Sequence, residues 1–286
     1  MRALIFGGRG MLGRAVVAAA RRRGQAALAL SREQADVTDR ERLLYWADAF
    51  RPDTVINCAA FTRVDDCESR PDHAFAVNGE GVANAVAAAE RAGALLVQVS
   101  TDYVFDGEAD TPYGEDDPTS PGSVYGESKL AGERHALAYE RGLVVRTSWL
   151  FGPGGPNFVS TIVRMMEEGR RELSVVADQR GGPTYAPYLA GAILELARDG
   201  VETPGVVHYR NREPVSWHEF AVEIVHLWDR NVEVRPVTTE EFPRPARRPA
   251  YSVLDVERFE SLTGRRVEPW GLGLVEYLAA RRARQR

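Results

Sequence analysis

Five short apolar runs, at residues 3–6, 27–30, 54–57, 95–100 and 143–147, recur along the first half of the chain without the polar alternation of a half-exposed strand. Between them lie stretches with apolar residues at helical spacing, such as 11–23 and 82–92. Strands that are apolar on both faces belong in a parallel sheet covered on both sides, and the intervening helices supply right-handed crossovers. The pattern therefore predicts an α/β fold with a doubly wound parallel sheet. Beyond residue 151 it loosens into GPGGPNF, QRGGPTYAP and FPRPARRPAYS, loops rich in Gly, Pro and Arg that join shorter elements, which predicts a smaller α/β cap. A helix over 186–199 and a strand over 206–209 suggest that the sheet recaptures the chain. The expected division is discontinuous: 1–150 with 186–210 in the sheet domain, and 151–185 with 211–286 in the cap.

Chemistry enters at the turn after the first run. Gly7, Gly10 and Gly13 follow a predicted strand and open a predicted helix, where missing side chains let the backbone approach a pyrophosphate and the helix N-terminus favours its charge. The spacing is GxxGxxG, and a ligand-free tight turn also accounts for it. With the βαβ pattern it makes the sheet domain a Rossmann-type dinucleotide-binding one. After the second run, where a site that prefers NAD offers a carboxylate, this chain offers Ser31 and Arg32. They suit a 2′-phosphate, so NADPH is expected and NADH possible, against the alternative of a solvated loop arginine. Asp36 and Val37 are placed to meet the adenine, and Asp36 equally to serve as a turn residue.

Tyr125 and Lys129, four residues apart in VYGESKLAGE, share one helix face. There the cation would stabilise the phenolate and lower its pKa, giving a proton donor near neutral pH. VSTDYVFDG carries Thr101, Asp102 and Tyr103 from the fourth run into a loop at the carboxyl end of the sheet, where ligands bind. Thr101 would hold a substrate oxygen beside Tyr125, while Asp102 and Tyr103 would bond neighbouring hydroxyls. Arg247 and Arg248, flanked by prolines, would form a rigid fork for a diphosphate, or be solvated loop arginines.

Composition narrows the partners. A net charge of −5 and a pI near 5.7 argue against nucleic acid, leaving a small-molecule substrate. The two cysteines, Cys58 and Cys67, lack metal-ligand spacing. His218 and Glu219 resemble half of a zinc-protease helix, but Val222 stands where the second His belongs. Asp65, Asp66 and Glu68 read as a solvated turn and helix start. The arginine-rich stretch 281–286 reads as a solvated helix end. No apolar run is long enough to span a bilayer and no signal peptide is evident, so a soluble cytoplasmic protein is expected.

Six blocks in order, NCAAFTRVDDCE, STDYVFDG, VYGESKLAGE, VVRTSWLFG, DQRGGPT and PRPARRPAYS, run nearly end to end. In them the chain resembles the dTDP-4-dehydrorhamnose reductases of the extended short-chain dehydrogenase/reductase superfamily. The resemblance implies reduction of the C4 ketone of dTDP-4-dehydro-6-deoxy-L-mannose to dTDP-L-rhamnose, with Tyr125 giving the proton, Lys129 holding the nicotinamide ribose and Thr101 polarising the carbonyl. It also implies that Gly10, Met11 and Leu12 face the pyrophosphate, that Ala60, Phe61 and Thr62 line the cofactor, and that Thr101, Asp102 and Trp149 touch the sugar. Phe61 stands where a more polar residue is expected. In some relatives a divalent cation joins subunits through carboxylates early in the first helix; Arg14, Ala15 and Val16 offer none, so no metal is expected, and a homodimer is possible. Two other functions stay open. One is another nucleotide-sugar enzyme: a 4-keto-deoxysugar reductase of secondary metabolism, an epimerase or a dehydratase, although Tyr103 replaces the Glu that a dehydratase carries. The other is a non-catalytic regulatory subunit of the same fold, for which the intact Thr101, Tyr125 and Lys129 would be superfluous.

Overall fold

The computed structural model describes residues 1–198, 205–229 and 231–283. The last position of the helix expected over 186–199, and residues 284–286 of the basic stretch, lie outside the described residues. Strands β1 (Arg2–Phe6), β2 (Ala26–Leu30), β3 (Thr54–Asn57), β4 (Leu95–Thr101) and β5 (Gly142–Thr147) join the strand Gly205–His208 in one six-stranded sheet. The spatial order is β2, β1, β3, β4, β5, then Gly205–His208, and every neighbouring pair is parallel. The order reverses at β1, with Phe6 opposite Leu30 on one side and Asn57 on the other. That reversal opens a crevice beyond the carboxyl ends of β1 and β3, the place where open α/β sheets take ligands.

The helices are α1 (Met11–Arg22), α2 (Arg40–Phe50), α3 (Val64–Ser69), α4 (Pro71–Phe75), α5 (Gly81–Ala92) and α6 (Val124–Ala138), followed by shorter-range elements. On one face of the sheet, Val16 and Ala20 of α1 and Ile193 of the helix Ala186–Leu196 cover Ile5, Ile56, Val97, Val145 and Val207. On the other, Leu43 of α2, Val82 and Ala85 of α5 and Ala136 of α6 cover Leu4, Phe6, Val55, Leu96 and Val144. Successive residues of each strand thus enter opposite cores, which is why these runs show no polar alternation.

A third core holds Phe151, Val159, Ile162, Leu173, Phe220, Ile224 and Leu274. It joins the helices Phe158–Glu167, Trp217–Trp228 and Trp270–Ala283 to the strand Glu172–Val176, which pairs in parallel with Glu233–Val237. Capping boxes start two of these helices, Asn157 with Ser160 and Ser216 with Glu219. Glu219 of the zinc-like sequence is therefore a cap. Phe259 and Val267 pack with the sheet-side core, and the Phe259 ring meets Tyr209 edge-on at 4.9 Å. The chain thus touches the sheet again after residue 211.

Candidate functional site

The glycine turn is shaped by close backbone approach. Gly7 has φ +74°, and a Cβ there would lie 2.7 Å from Ala59 N. A Cβ on Gly13 would collide with the Gly7 carbonyl, so α1 rests directly on the turn. Gly10 N donates to Gly7 O at 2.9 Å and Gly10 caps α1 without a side-chain bond, and no acidic residue occupies the first turn. Leu12 is buried in the core and Met11 packs at its edge, which leaves the first-turn N–H groups of α1 as the polar surface here. Beyond β2, Ser31 is 2% exposed and its hydroxyl has no hydrogen-bond partner; nearby Glu33 feels that hydroxyl electrostatically without a bond of acceptable geometry. Arg32 is exposed, with Nε donating to Asp36 Oδ2 at 2.9 Å. Asp36 also accepts from Thr38 N and Oγ1 at 3.0 and 2.8 Å, the turn role. Val37 is buried against α5 and its carbonyl accepts from Asn84 Nδ2 at 2.9 Å. A backbone cradle, unneutralised helix N–H groups and an orphaned hydroxyl beside an arginine fit a dinucleotide with a 2′-phosphate.

The loop after β3 holds Ala60, Phe61 and Thr62. Phe61 N donates to Asn78 Oδ1 at 2.8 Å, and Asn78 Nδ2 donates to Phe61 O at 3.1 Å and to Ser128 Oγ of α6 at 3.0 Å. The Phe61 ring turns inward, edge-on to His73 at 4.8 Å and in one cluster with Cys67 and Tyr125. Its backbone is tied on both sides to Asn78 and its side chain is packing, which accounts for an apolar residue in this place. Asn78 lies on a π-helical turn, Ala76–Glu80, and is 1% exposed. Reading the sequence missed it; in the stretch AFAVNGEGVANAV, Asn78 and Asn84 stand among small and apolar residues without a motif to single one out.

Ser123 caps α6, accepting from Gly126 N at 3.2 Å, and sets Tyr125 and Lys129 against the end of β4. Lys129 Nζ donates to Val99 O at 2.7 Å, and Tyr125 meets Tyr103 edge-on at 5.4 Å. Burial pushes the Tyr125 phenol well above its ordinary range, with the Thr101 hydroxyl working against it. Burial also pushes Lys129 down to about 8, opposed by Glu133. The expected lowering of the phenol by the cation is thereby corrected: in the interior desolvation outweighs the pair, and the ammonium is turned to a carbonyl. A phenol that stays protonated through neutral pH remains a competent acid toward a developing alkoxide.

Thr101, beside Tyr125, is tied into the turn that follows β4. Its Oγ1 donates to Asp102 Oδ1 at 2.9 Å and accepts from Tyr103 N at 3.2 Å, and the same hydroxyl favours the Tyr125 phenolate. Asp102 is 2% exposed and its Oδ2 has no hydrogen-bond partner. Burial pushes this carboxyl up to about 6, and the Ser252 hydroxyl holds it down without a bond of acceptable geometry.

Above Tyr103 lies a cavity of about 720 Å³ that Phe158, Gln179, Trp217, Arg244 and Arg248 help to line. Trp149, at φ +42°, stacks on Trp217 with centroids 3.5 Å apart and planes 6° apart. A Cβ on Gly181 would enter the Trp149 ring, so Trp149 is sandwiched and Trp217 presents the cavity wall. Arg248 NH2 donates to Asp65 Oδ1 at 2.9 Å, both half-buried at the cavity edge. Arg247 does not line this cavity: its NH2 donates to Glu108 Oε1 at 2.6 Å in an exposed pair, against the diphosphate role expected of it. Adjacent residues on an extended strap point apart, and only one can face inward. Asp65, expected to be solvated, is the anchor of Arg248. Phe158, Gln179, Trp217 and Arg244 come from separate segments and carry no local motif.

Among the described residues no group of three or more His, Cys, Asp and Glu side chains gathers to hold a metal ion, and no helix is long and apolar enough to cross a membrane.

Comparison with known proteins agrees with this geometry. The chain is 42% identical over 283 residues to a dTDP-4-dehydrorhamnose reductase of Streptomyces griseus, covering 97% of this chain and 93% of that protein. Its structure superposes on the crystal structure of a dTDP-4-dehydrorhamnose reductase of Clostridium acetobutylicum with a TM-score of 0.93 at 40% identity, covering 99% of this chain and 100% of that one. A dTDP-4-dehydrorhamnose reductase of Bacillus anthracis, solved in complex with NADP, gives a TM-score of 0.93 at 36% identity, covering 98% and 99%. Residues 1–283 match the profile of the RmlD substrate binding domain. Sequence and fold thus converge: the chain belongs to the RmlD substrate binding domain family, that of the dTDP-4-dehydrorhamnose reductases.

Proposed function

We propose that this protein is an NADPH-dependent dTDP-4-dehydrorhamnose reductase, which reduces the C4 ketone of dTDP-4-dehydro-6-deoxy-L-mannose to dTDP-L-rhamnose. The observation that carries the reading is the pair Tyr125 and Lys129 on one face of α6, buried against the end of β4 with Tyr125 edge-on to Tyr103, which lines the arginine-edged cavity. Gly7, Gly10, Met11, Leu12 and Gly13 would hold the pyrophosphate by backbone N–H groups, Ser31 and Arg32 the 2′-phosphate, and Ala60 to Thr62 the inner half of the dinucleotide. NADPH, when bound, supplies the hydride for the ketone carbon. Lys129 would hold the nicotinamide ribose and Tyr125 would give its proton to the oxygen, while the Thr101 hydroxyl beside it favours the phenolate that is left.

Arg248 and Arg244 receive the diphosphate, and Trp217 and Phe158 pack against the apolar parts of the nucleotide sugar. Tyr103, which lines the cavity, would face the sugar, with Asp102 buried behind it. The same reading assigns 1–150 with 186–210 to cofactor binding and most of 151–185 and 211–286 to the substrate cap, with 256–267 returned to the sheet side by Phe259 and Val267. A dehydratase is disfavoured because Tyr103 supplies no carboxylic acid for eliminating water. Dimerisation through a further surface is compatible with the site, which one chain supplies.

The test is NADPH consumption with dTDP-4-keto-6-deoxyglucose in the presence and absence of a 3,5-epimerase. Epimerase-dependent turnover, falling by about 10² to 10⁴ in Tyr125→Phe with cofactor affinity retained, is expected. Absence of turnover, or full activity in the variant, would reject the reading.

A further inference from the structure

Lys129 is the one lysine in 286 residues; every other basic side chain of the Lys/Arg class is arginine. It is 4% exposed, and its Nζ is bonded to the Val99 carbonyl, which carries no charge. Among the described residues it has no ion-pair partner within salt-bridge distance. A buried ammonium without a counter-ion ordinarily loses its proton. Yet ammonium, with three donors, is the form that can hold ribose hydroxyls and remain bonded to Val99.

The row Tyr125, Lys129, Glu133 continues along one face of α6. Glu133, 1% exposed, is clamped by Arg146 of β5: Nε lies 3.0 and 3.2 Å from its two oxygens, and NH2 lies 2.8 Å from Oε2. Arg146 is 4% exposed, lies over the Phe105 ring at 5.1 Å and sets NH1 3.4 Å from His208 Nε2. Burial and the Arg146 charge push His208 down to about 3, so it adds no second cation at neutral pH. Such a fully buried pair is a poor device for stability, because an apolar replacement of similar volume often does as well. Its placement one turn beyond Lys129 gives it another use.

We propose that Glu133, fixed in place by Arg146, is a positioning residue whose charge keeps the buried Lys129 protonated. The groups facing Lys129 leave that task to Glu133. From β3 comes Cys58, whose thiol burial pushes up to about 12 and so leaves uncharged. From β4 comes the Val99 carbonyl, while Asp102 at the end of that strand bears on Tyr125 instead. From α6 itself comes Tyr125, held protonated, and from β5 comes Arg146, engaged by Glu133. The consequence for turnover rests on the reductase reading; the charge state of Lys129 does not.

A single lysine makes the test direct. Protein labelled with 13Cε-lysine gives one lysine side-chain resonance, which in the wild type is expected to titrate near 8. In Glu133→Gln the midpoint should fall by at least about one unit, and the alkaline limb of NADPH affinity should move with it. Glu133→Asp, which keeps the charge, should restore most of the shift. Glu133→Gln strands the Arg146 charge in the interior, so Glu133→Gln/Arg146→Met serves if the single variant does not fold, with an expected fall of about half a unit. A folded variant of either kind that titrates as the wild type does would overturn the proposal. A wild type that titrates as expected and yet reduces no dTDP-keto-sugar would overturn the reductase reading alone.

Discussion

In the function proposed above, the glycine turn and the cavity above Tyr103 would solve one problem, holding a phosphate-bearing ligand, in opposite ways. The turn uses backbone: Gly7 is pressed against Ala59, Gly13 against Gly7, and the N–H groups of α1 are aimed by helix geometry alone. The cavity uses side chains from distant segments, with Phe158, Gln179, Trp217, Arg244 and Arg248 brought together over Tyr103. The first is rigid, intolerant of any added atom and local in sequence. The second is adjustable, because its arginines are long side chains held by single neighbours, Arg248 by Asp65 and Arg244 over the Phe242 ring. In such a pairing specificity for the cofactor is set by what cannot fit, and specificity for the sugar nucleotide by which side chain turns inward.

The sharpest way to break this contrast is Gly7→Ala. Positive φ and a clash with Ala59 should cost about 3 kcal/mol of stability and abolish measurable NADPH binding, with thermal melting and cofactor titration as readouts. Retention of cofactor affinity would mean that the turn is not the cradle. Next come the two strap arginines. Arg248→Ala should weaken dTDP binding by about tenfold to a hundredfold, the worth of one or two charge-assisted hydrogen bonds, while Arg247→Ala should change it by less than about twofold because its pair is exposed. Calorimetric titration with dTDP distinguishes them, and equal effects would place both arginines on the ligand.

An acid limb should then separate the sheet side from the cap. His208 titrates at about 3 in the folded protein and at its ordinary 6.5 when unfolded, so the unfolded chain binds the proton first. Its contribution is complete above pH 6.5 and is lost as pH falls toward 3, with a slope of about 1.4 kcal/mol per pH unit. Denaturant melts of His208→Gln should show this slope reduced; an unchanged slope would assign acid sensitivity elsewhere. A selective effect is expected at Arg32→Ala, which should raise the KM for NADPH about tenfold and leave that for NADH unchanged. Equal changes for both cofactors would remove the 2′-phosphate from this position.

How much of this was legible depends on the range of the interaction. The five apolar runs appear as β1 to β5 with boundaries moved by a residue at most, because strands packed on both faces lack the regular polar alternation that would blur them. Tyr125 and Lys129 were legible because spacing on one helix fixes which side chains share a face. Their proton affinities were not: the expectation of a depressed phenol pKa failed because desolvation depends on everything packed around α6. Nor did the strap reveal its inward side, since Arg247 and Arg248 are equivalent in sequence and are told apart by Glu108 and Asp65, which lie more than a hundred residues away.

Sequence alone determined the parallel sheet, the glycine turn and the pairing of a tyrosine with the chain's one lysine, for each is written in local spacing that backbone geometry converts directly into structure. Tertiary structure decided that Asn78 ties the β3 loop to α6, that Arg248 rather than Arg247 borders the cavity, and that Glu133 and Arg146 form a buried pair beside Lys129. Hydrogen bonds and fields in the interior join residues by distance in space, and the order of residues along a chain does not encode that distance until the sheet and cap have packed.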